Sequence, residues 1–333
     1  MLEAMVEKSR QLAEERERSF RLRAGMELAA KGQNPHILVV SPIHKSGHDY
    51  ILLGLGQGDA FWATRLPRTR LLDSDESPFL FGGPAAYSSQ FGIVFAVITF
   101  ESDEPDDVVQ ESVSAFTQNE HMRAAHVIGL QMDPTGSYRL VGEVKFRDRI
   151  LARLLAARRR RPSETDHNVL VVLCSDSRLL PPSTSSGIPL MIRTLGGFVP
   201  ALDDASRETQ ELDDFLAHWL EEEPSRKRIV VIAHGHATNE AAVCGAAKAS
   251  LNPSELTDES LQLIVKRIAN DAKRADRAHD ATPYGRAIAT ARATRENLRT
   301  YTAIREFERK RLLPSEFIQP AFMDTITGVL APL

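Results

Sequence analysis

Apolar residues in this chain gather in short dense runs separated by longer stretches of mixed polarity. Residues 36–41 (HILVVS), 91–100 (FGIVFAVITF), 168–173 (NVLVVL) and 228–233 (RIVVIA) are rich in β-branched side chains and show little polar alternation. Runs of this kind read as strands buried on both faces, as in a parallel sheet. Weaker strand signals lie at 50–55, 60–64, 317–324 and 328–330. Residues 124–133 and 138–146 predict a hairpin around Pro134-Thr135-Gly136. Helical spacing is found at 2–31, 108–116, 204–222, 241–250, 258–275 and 285–312, whereas 66–90 reads as loop. Strands alternating with helices predict an α/β fold, a mainly parallel sheet flanked by helices.

Length divides this pattern in two. The chain has 333 residues, about two domains' worth. A basic helix followed by Arg158-Arg159-Arg160-Arg161-Pro162-Ser163 separates two complete α/β patterns. The expected organisation is an N-terminal helix at 1–32, an α/β domain at 33–150, a basic linker at 151–165 and a second α/β domain at 166–333.

Composition narrows the function. Lys and Arg total 41 against 45 Asp and Glu, for a net charge of −4. That balance gives no overall basic field for nucleic acid or an anionic membrane. No run of about 18 apolar residues is present to span a bilayer. Residues 1–31 are rich in Glu and Arg and lack the apolar core of a secretory signal. A cytoplasmic protein with reduced thiols is the expectation.

The two cysteines, Cys174 and Cys244, are too few for a disulfide scaffold. Each lies where an apolar strand gives way to polar residues. One strand runs into Cys174-Ser175-Asp176-Ser177-Arg178; the other runs into His234-Gly235-His236, with Cys244 opening the next helix. Ligands of open α/β sheets sit at these carboxyl ends. Two thiolates and an imidazole form a soft N/S donor set suited to zinc, and three protein ligands leave a fourth position open. Zinc brings the pKa of a bound water to about 7. In an extended segment Asp176 and Arg178 would point the same way as Cys174. A guanidinium would keep that carboxylate ionised and oriented.

Cys174-x-Asp176-x-Arg178 after an apolar strand resembles the signature of the β-class carbonic anhydrases. Four further segments resemble the family in order: 187–197, 228–234 with Cys244-Gly245, Glu296-Asn297-Leu298, and Phe322-Met323-Asp324 with Thr327-Gly328. The resemblance covers roughly residues 166–333. It implies a zinc enzyme that hydrates CO2 to bicarbonate, with Cys174, His234 and Cys244 on the metal and Asp176 and Arg178 as the catalytic pair. It also implies a homo-oligomer, and a carbon-fixation compartment is one location it allows. A related hydrolase of carbon disulfide or carbonyl sulfide, and a non-catalytic assembly protein of the same fold, remain open alternatives.

Two departures stand out. The family's His-x-x-Cys spacing is replaced by nine residues between His234 and Cys244, so a loop is inserted and either His234 or His236 could be the ligand. Thr194-Leu195 stand where the family has Asn-Ala. The first half echoes the second: 36–41 parallels 168–173, and 58–65 (GDAFWATR) resembles a family segment, yet Pro42-Ile43-His44-Lys45 carries no Cys or Asp. A degenerate tandem repeat is the expectation, against an unrelated α/β domain. His44 and His48 have helical spacing, but Ser46-Gly47 points to a loop rather than a metal site.

Overall fold

The computed structural model describes residues 1–66, 75–133, 137–157, 164–203, 205–276 and 281–333. In the first half, β1 (Ile37–Pro42), β2 (Phe61–Arg65), β3 (Phe95–Glu101), β4 (His126–Met132) and β5 (Tyr138–Val141) form one sheet in the order β2-β1-β3-β4-β5. All neighbours are parallel except β4 and β5. In the second half, β6 (Thr165–Cys174), β7 (Ile188–Thr194), β8 (Arg228–Gly235), β9 (Ile318–Asp324) and β10 (Leu330–Pro332) form the order β7-β6-β8-β9-β10. Here too only the last pair is antiparallel.

The two sheets therefore share strand order and strand sense. Their central registers coincide as well. Leu38-Val39-Val40 pairs with Ala96-Val97-Ile98 as Leu170-Val171-Val172 pairs with Ile229-Val230-Val231. Glu101 then pairs with Met132 as His234 pairs with Met323. Counting along β1 and β6 in this register places Pro42 at the position of Cys174 and His44 at that of Asp176.

The central strands are buried on both faces, as their unbroken apolar runs require. Helices cover them: α3 (Ser46–Leu52), α4 (Gly83–Ser89), α5 (Asp106–Gln118) and α6 (Phe146–Ala157) in the first half. The second half has α7 (Arg207–Glu221), α8 (Gly245–Ala249), α9 (Glu259–Ala275), α10 (Pro283–Leu298) and α11 (Thr302–Arg309).

The halves meet along edge strands β2 and β7. Thr64 Oγ1 accepts from Arg193 N at 2.6 Å and donates to Arg193 O at 3.1 Å. Trp62 N donates to Ser175 O at 3.1 Å and Gly58 N to Ser177 O at 2.9 Å. Helix α3 approaches β7 so closely that a Cβ on Gly47 would collide with Ile188 and Met191. The N-terminal helices pack on the second half. Arg16 donates to Thr327 O at 2.9 Å, and Leu330 N donates to Ser9 Oγ at 2.9 Å.

Several sequence expectations need correction. The single helix at 2–31 is two, α1 (Leu2–Arg18) and α2 (Phe20–Lys31), because Ser19 is extended at φ −99° and ψ 116°. The long helix at 285–312 breaks before Tyr301, whose buried hydroxyl donates to Pro200 O at 3.2 Å. The strand expected at 50–55 is largely the end of α3, and 66–90 contains a π-helical turn (Pro78–Gly82) and α4. The helix at 241–250 shrinks to α8 after a short 3-10 turn. Of the expected linker 151–165, residues up to 157 are helical. Its 158–163 core and the hairpin turn 134–136 lie outside the described residues. Among the described residues no helix is long and apolar enough to cross a membrane.

Candidate metal centre

Three side chains converge at the carboxyl end of the second sheet. Cys174 is the last residue of β6, His234 lies at the end of β8, and Cys244 caps the N-terminus of α8. Their positions follow from chain pattern: each apolar run carries its strand through the core, and the first polar residues emerge at the same edge. The two sulfurs are 4.0 Å apart. One ligating atom from each residue lies within 4.8 Å of the others. All three side chains are buried.

His234 provides the test of whether a metal fits. Its Nδ1 is 3.0 Å from Thr325 Oγ1, while its Nε2 is buried with no hydrogen-bond partner. An orphaned buried nitrogen costs about 1–3 kcal/mol unless a ligand takes it. With two sulfurs beside it, that nitrogen completes a donor set that fits zinc.

The electrostatics separate the two thiols. Burial, together with the Cys244 contact, holds the Cys174 thiol well above its usual range. Cys244 is lowered, first by a hydrogen bond from Cys174, then against burial by the N–H groups of Ala247 and Ala246 at the start of α8.

Asp176 and Arg178 form the second element of the site. Arg178 Nε donates to Asp176 Oδ1 at 2.8 Å and Nη2 to Oδ2 at 2.5 Å. Burial alone would raise the Asp176 carboxyl, but the guanidinium overrides it and holds the group below its usual range. The segment is not extended as expected: after Cys174 the chain turns, with Leu179 N donating to Asp176 O at 3.2 Å. That turn, rather than strand alternation, sets the two side chains together. Asp176 Oδ2 lies 3.8 Å from His234 Nε2, facing the point where the three donors converge. Arg178 also donates to Ala241 O at 2.6 Å and Val243 O at 2.8 Å, so it ties down the loop inserted between His234 and Cys244.

His236 lies outside this group. Its Nε2 is 3.7 Å from Asp324 Oδ2, and its Nδ1 accepts from Thr238 N at 3.3 Å. His44 and His48 also lie apart from it, in the first half; His48 is helical, in α3, rather than in the loop expected.

Residues that sequence reasoning did not single out complete the surroundings. Tyr87 of α4 reaches across from the first half, and its hydroxyl lies where a Cβ on Gly245 would be. Gln33 Nε2 donates to this hydroxyl at 3.1 Å, and Phe61 packs edge-on to the ring at 5.9 Å between centroids. Burial raises the Tyr87 hydroxyl, and Asp176, Cys244 and Cys174 raise it further, which sets it in the field of the site. Thr325 falls in the segment 322–328 already noted for its resemblance, so its polar position between two strands was an available signal. Tyr87 had none, since 66–90 reads as loop.

The fold and site together define a two-sheet α/β protein with a preassembled Cys-His-Cys centre. No family model matches the chain, and no curated protein matches it. Among solved structures it is similar to the β-carbonic anhydrase CcaA, at 23% identity over 49% of this chain and 71% of that one, with a TM-score of 0.37. It is also similar to tetrameric β-carbonic anhydrases from the ascomycete Sordaria macrospora, at 21% identity over 50% and 80%, TM-score 0.37. For CafA of Aspergillus fumigatus the values are 17%, 53%, 77% and 0.35. The functional reading is carried by the chemistry of the site itself.

Proposed function

We propose that the chain is a zinc-dependent carbonic anhydrase, interconverting CO2 and bicarbonate, with Cys174, His234 and Cys244 as the protein ligands. The observation that carries this reading is the unpartnered, buried Nε2 of His234 beside two sulfurs and a guanidinium-held carboxylate. A zinc ion held there would supply a water acidic enough to ionise near neutral pH.

The remaining work falls to the chain. Asp176, kept ionised by Arg178, accepts a hydrogen bond from the attacking water and so fixes which lone pair faces CO2. Arg178 keeps that carboxylate in one orientation and anchors the inserted loop through two carbonyls. Tyr87, Gln33 and Phe61 wall the site from the first half and limit solvent access. The second half thus carries the chemistry, and the first half closes the site over it. We read the two halves as a tandem duplication in which one copy retained its donors, supported by the shared strand order, strand sense and central register.

Stopped-flow measurement of CO2 hydration by the zinc-loaded protein tests this. Activity is expected, lost in Cys174→Ala and reduced by about 10²–10⁴ in Asp176→Asn, the range of a positioned acid–base group. Zinc-loaded protein without activity would overturn the assignment.

A further inference from the structure

Three large apolar side chains stand exposed together on α6. Phe146, Ile150 and Leu154 are 80%, 45% and 59% exposed. Their i, i+4, i+8 spacing puts them on one face of the helix. The opposite face, with Ala152 and Leu155, is buried in the core of the first half. A fourth exposed apolar residue lies close by. Arg147 Nη2 is 3.0 Å from His126 Nδ1, and His126 N donates to Val94 O at 2.8 Å, which brings the exposed Val94 near the start of α6. Exposed apolar side chains gathered in this way mark an interaction surface.

The charge around the stripe has one sign. At about 100° per residue, Arg147 borders it on one side and Arg149 and Arg153 on the other. All three are exposed, as is Lys145 just before the helix. Asp148, the one acidic residue of α6, is turned inward and accepts from Lys145 N at 2.9 Å. Between Asp148 and Glu164 the sequence holds six arginines and no acidic residue. The occupant of this face is therefore anionic. A second copy docked stripe to stripe would set these arginines against their own equivalents. A helix of 12 residues also offers a face only about 18 Å long and about 10 Å wide, well short of the roughly 800 Å² per partner of a stable protein interface. A lipid surface needs no matching shape.

We propose that the exposed face of α6 docks the protein onto an anionic lipid bilayer, with the helix lying in the plane of the surface. Phe146, Ile150 and Leu154 sink to the boundary between headgroups and acyl chains, and the flanking arginines donate charge-assisted hydrogen bonds to headgroup oxygens. The net charge of −4 does not oppose this, because exposed charges more than about 10 Å away are screened at moderate salt. Docking does not depend on zinc or on activity in the second half.

Flotation of the full chain with vesicles tests it, comparing phosphatidylcholine alone with an equal mixture of phosphatidylcholine and phosphatidylserine. Binding to the mixed vesicles is expected, weakened by raised salt and by omission of phosphatidylserine. Leu154→Ser and the double variant Arg149→Gln/Arg153→Gln should each weaken partitioning by about tenfold. These positions are exposed, so the fold survives the changes. Leu263→Ser, at an exposed apolar position on α9, should leave binding unchanged. Absence of binding to the mixed vesicles, equal binding to phosphatidylcholine alone, or binding unaltered in both α6 variants would each overturn the proposal. So would an oligomer that Leu154→Ser dissociates in sedimentation velocity, which would assign the stripe to a second copy of the chain.

Discussion

Thr325 Oγ1 lies 3.0 Å from Nδ1 of His234 and leaves Nε2 turned toward the two cysteine sulfurs. Partners of this kind fix a ligating ring, and their loss typically costs 10- to 100-fold in metal affinity. Thr325→Val should therefore weaken zinc binding by that factor, measured by competition with a chromophoric chelator. Thr325→Ser, which keeps the hydroxyl, should restore it. Equal affinity in all three proteins would remove Thr325 from the site.

Contact between the halves gives a second expectation. Gly245 has no room for a side chain because Tyr87 Oη occupies the space, and the Tyr87 ring is held by Phe61 and Phe91. Gly245→Ala should destabilise the protein by about 1–3 kcal/mol, the cost of overpacking. Adding Tyr87→Phe, which removes the clashing oxygen, should recover part of that loss. Chemical denaturation of the four proteins in the cycle measures the coupling, and strict additivity would contradict the contact.

Much of the fold was legible because strands buried on both faces leave continuous β-branched runs, as at Leu38-Val39-Val40 and Leu170-Val171-Val172. Helix breaks were not. Ser19 and Tyr301 carry no strong local breaker, and the break at Tyr301 serves a buried hydroxyl contact with Pro200. Residues 50–55 illustrate the ambiguity of short apolar runs, which periodicity alone cannot assign to strand or helix.

The site divided in the same way. Cys174, Asp176, Arg178, His234 and Cys244 stood out because ionisable residues follow directly on apolar strands. Gln33 and Tyr87 reach the site only through packing of one half on the other, which no local pattern encodes.

A buried carboxylate predicts a pH dependence. Glu208 of α7 accepts from Ser77 Oγ at 2.9 Å and from Leu80 N at 2.5 Å, clasping the turn that leads into α4. Burial outweighs these donors and pushes its pKa up to about 7 from 4.5. The folded state then binds a proton that the unfolded state has released, so the contribution is full below pH 4.5 and is lost as pH rises through 7. Its size is on the order of 3 kcal/mol. Denaturation midpoints should fall across that window in the native protein and flatten in Glu208→Gln. A slope unchanged by the substitution would contradict the assignment.

Cys174, His234 and Cys244 are expected to hold one zinc ion per chain. Metal analysis of the purified full chain after dialysis, read beside Cys174→Ala and His236→Ala, tests it most directly. One equivalent of zinc is predicted in the native protein and in His236→Ala, and none in Cys174→Ala. Zinc retained in Cys174→Ala, or a native chain that takes up no zinc on reconstitution, would contradict it.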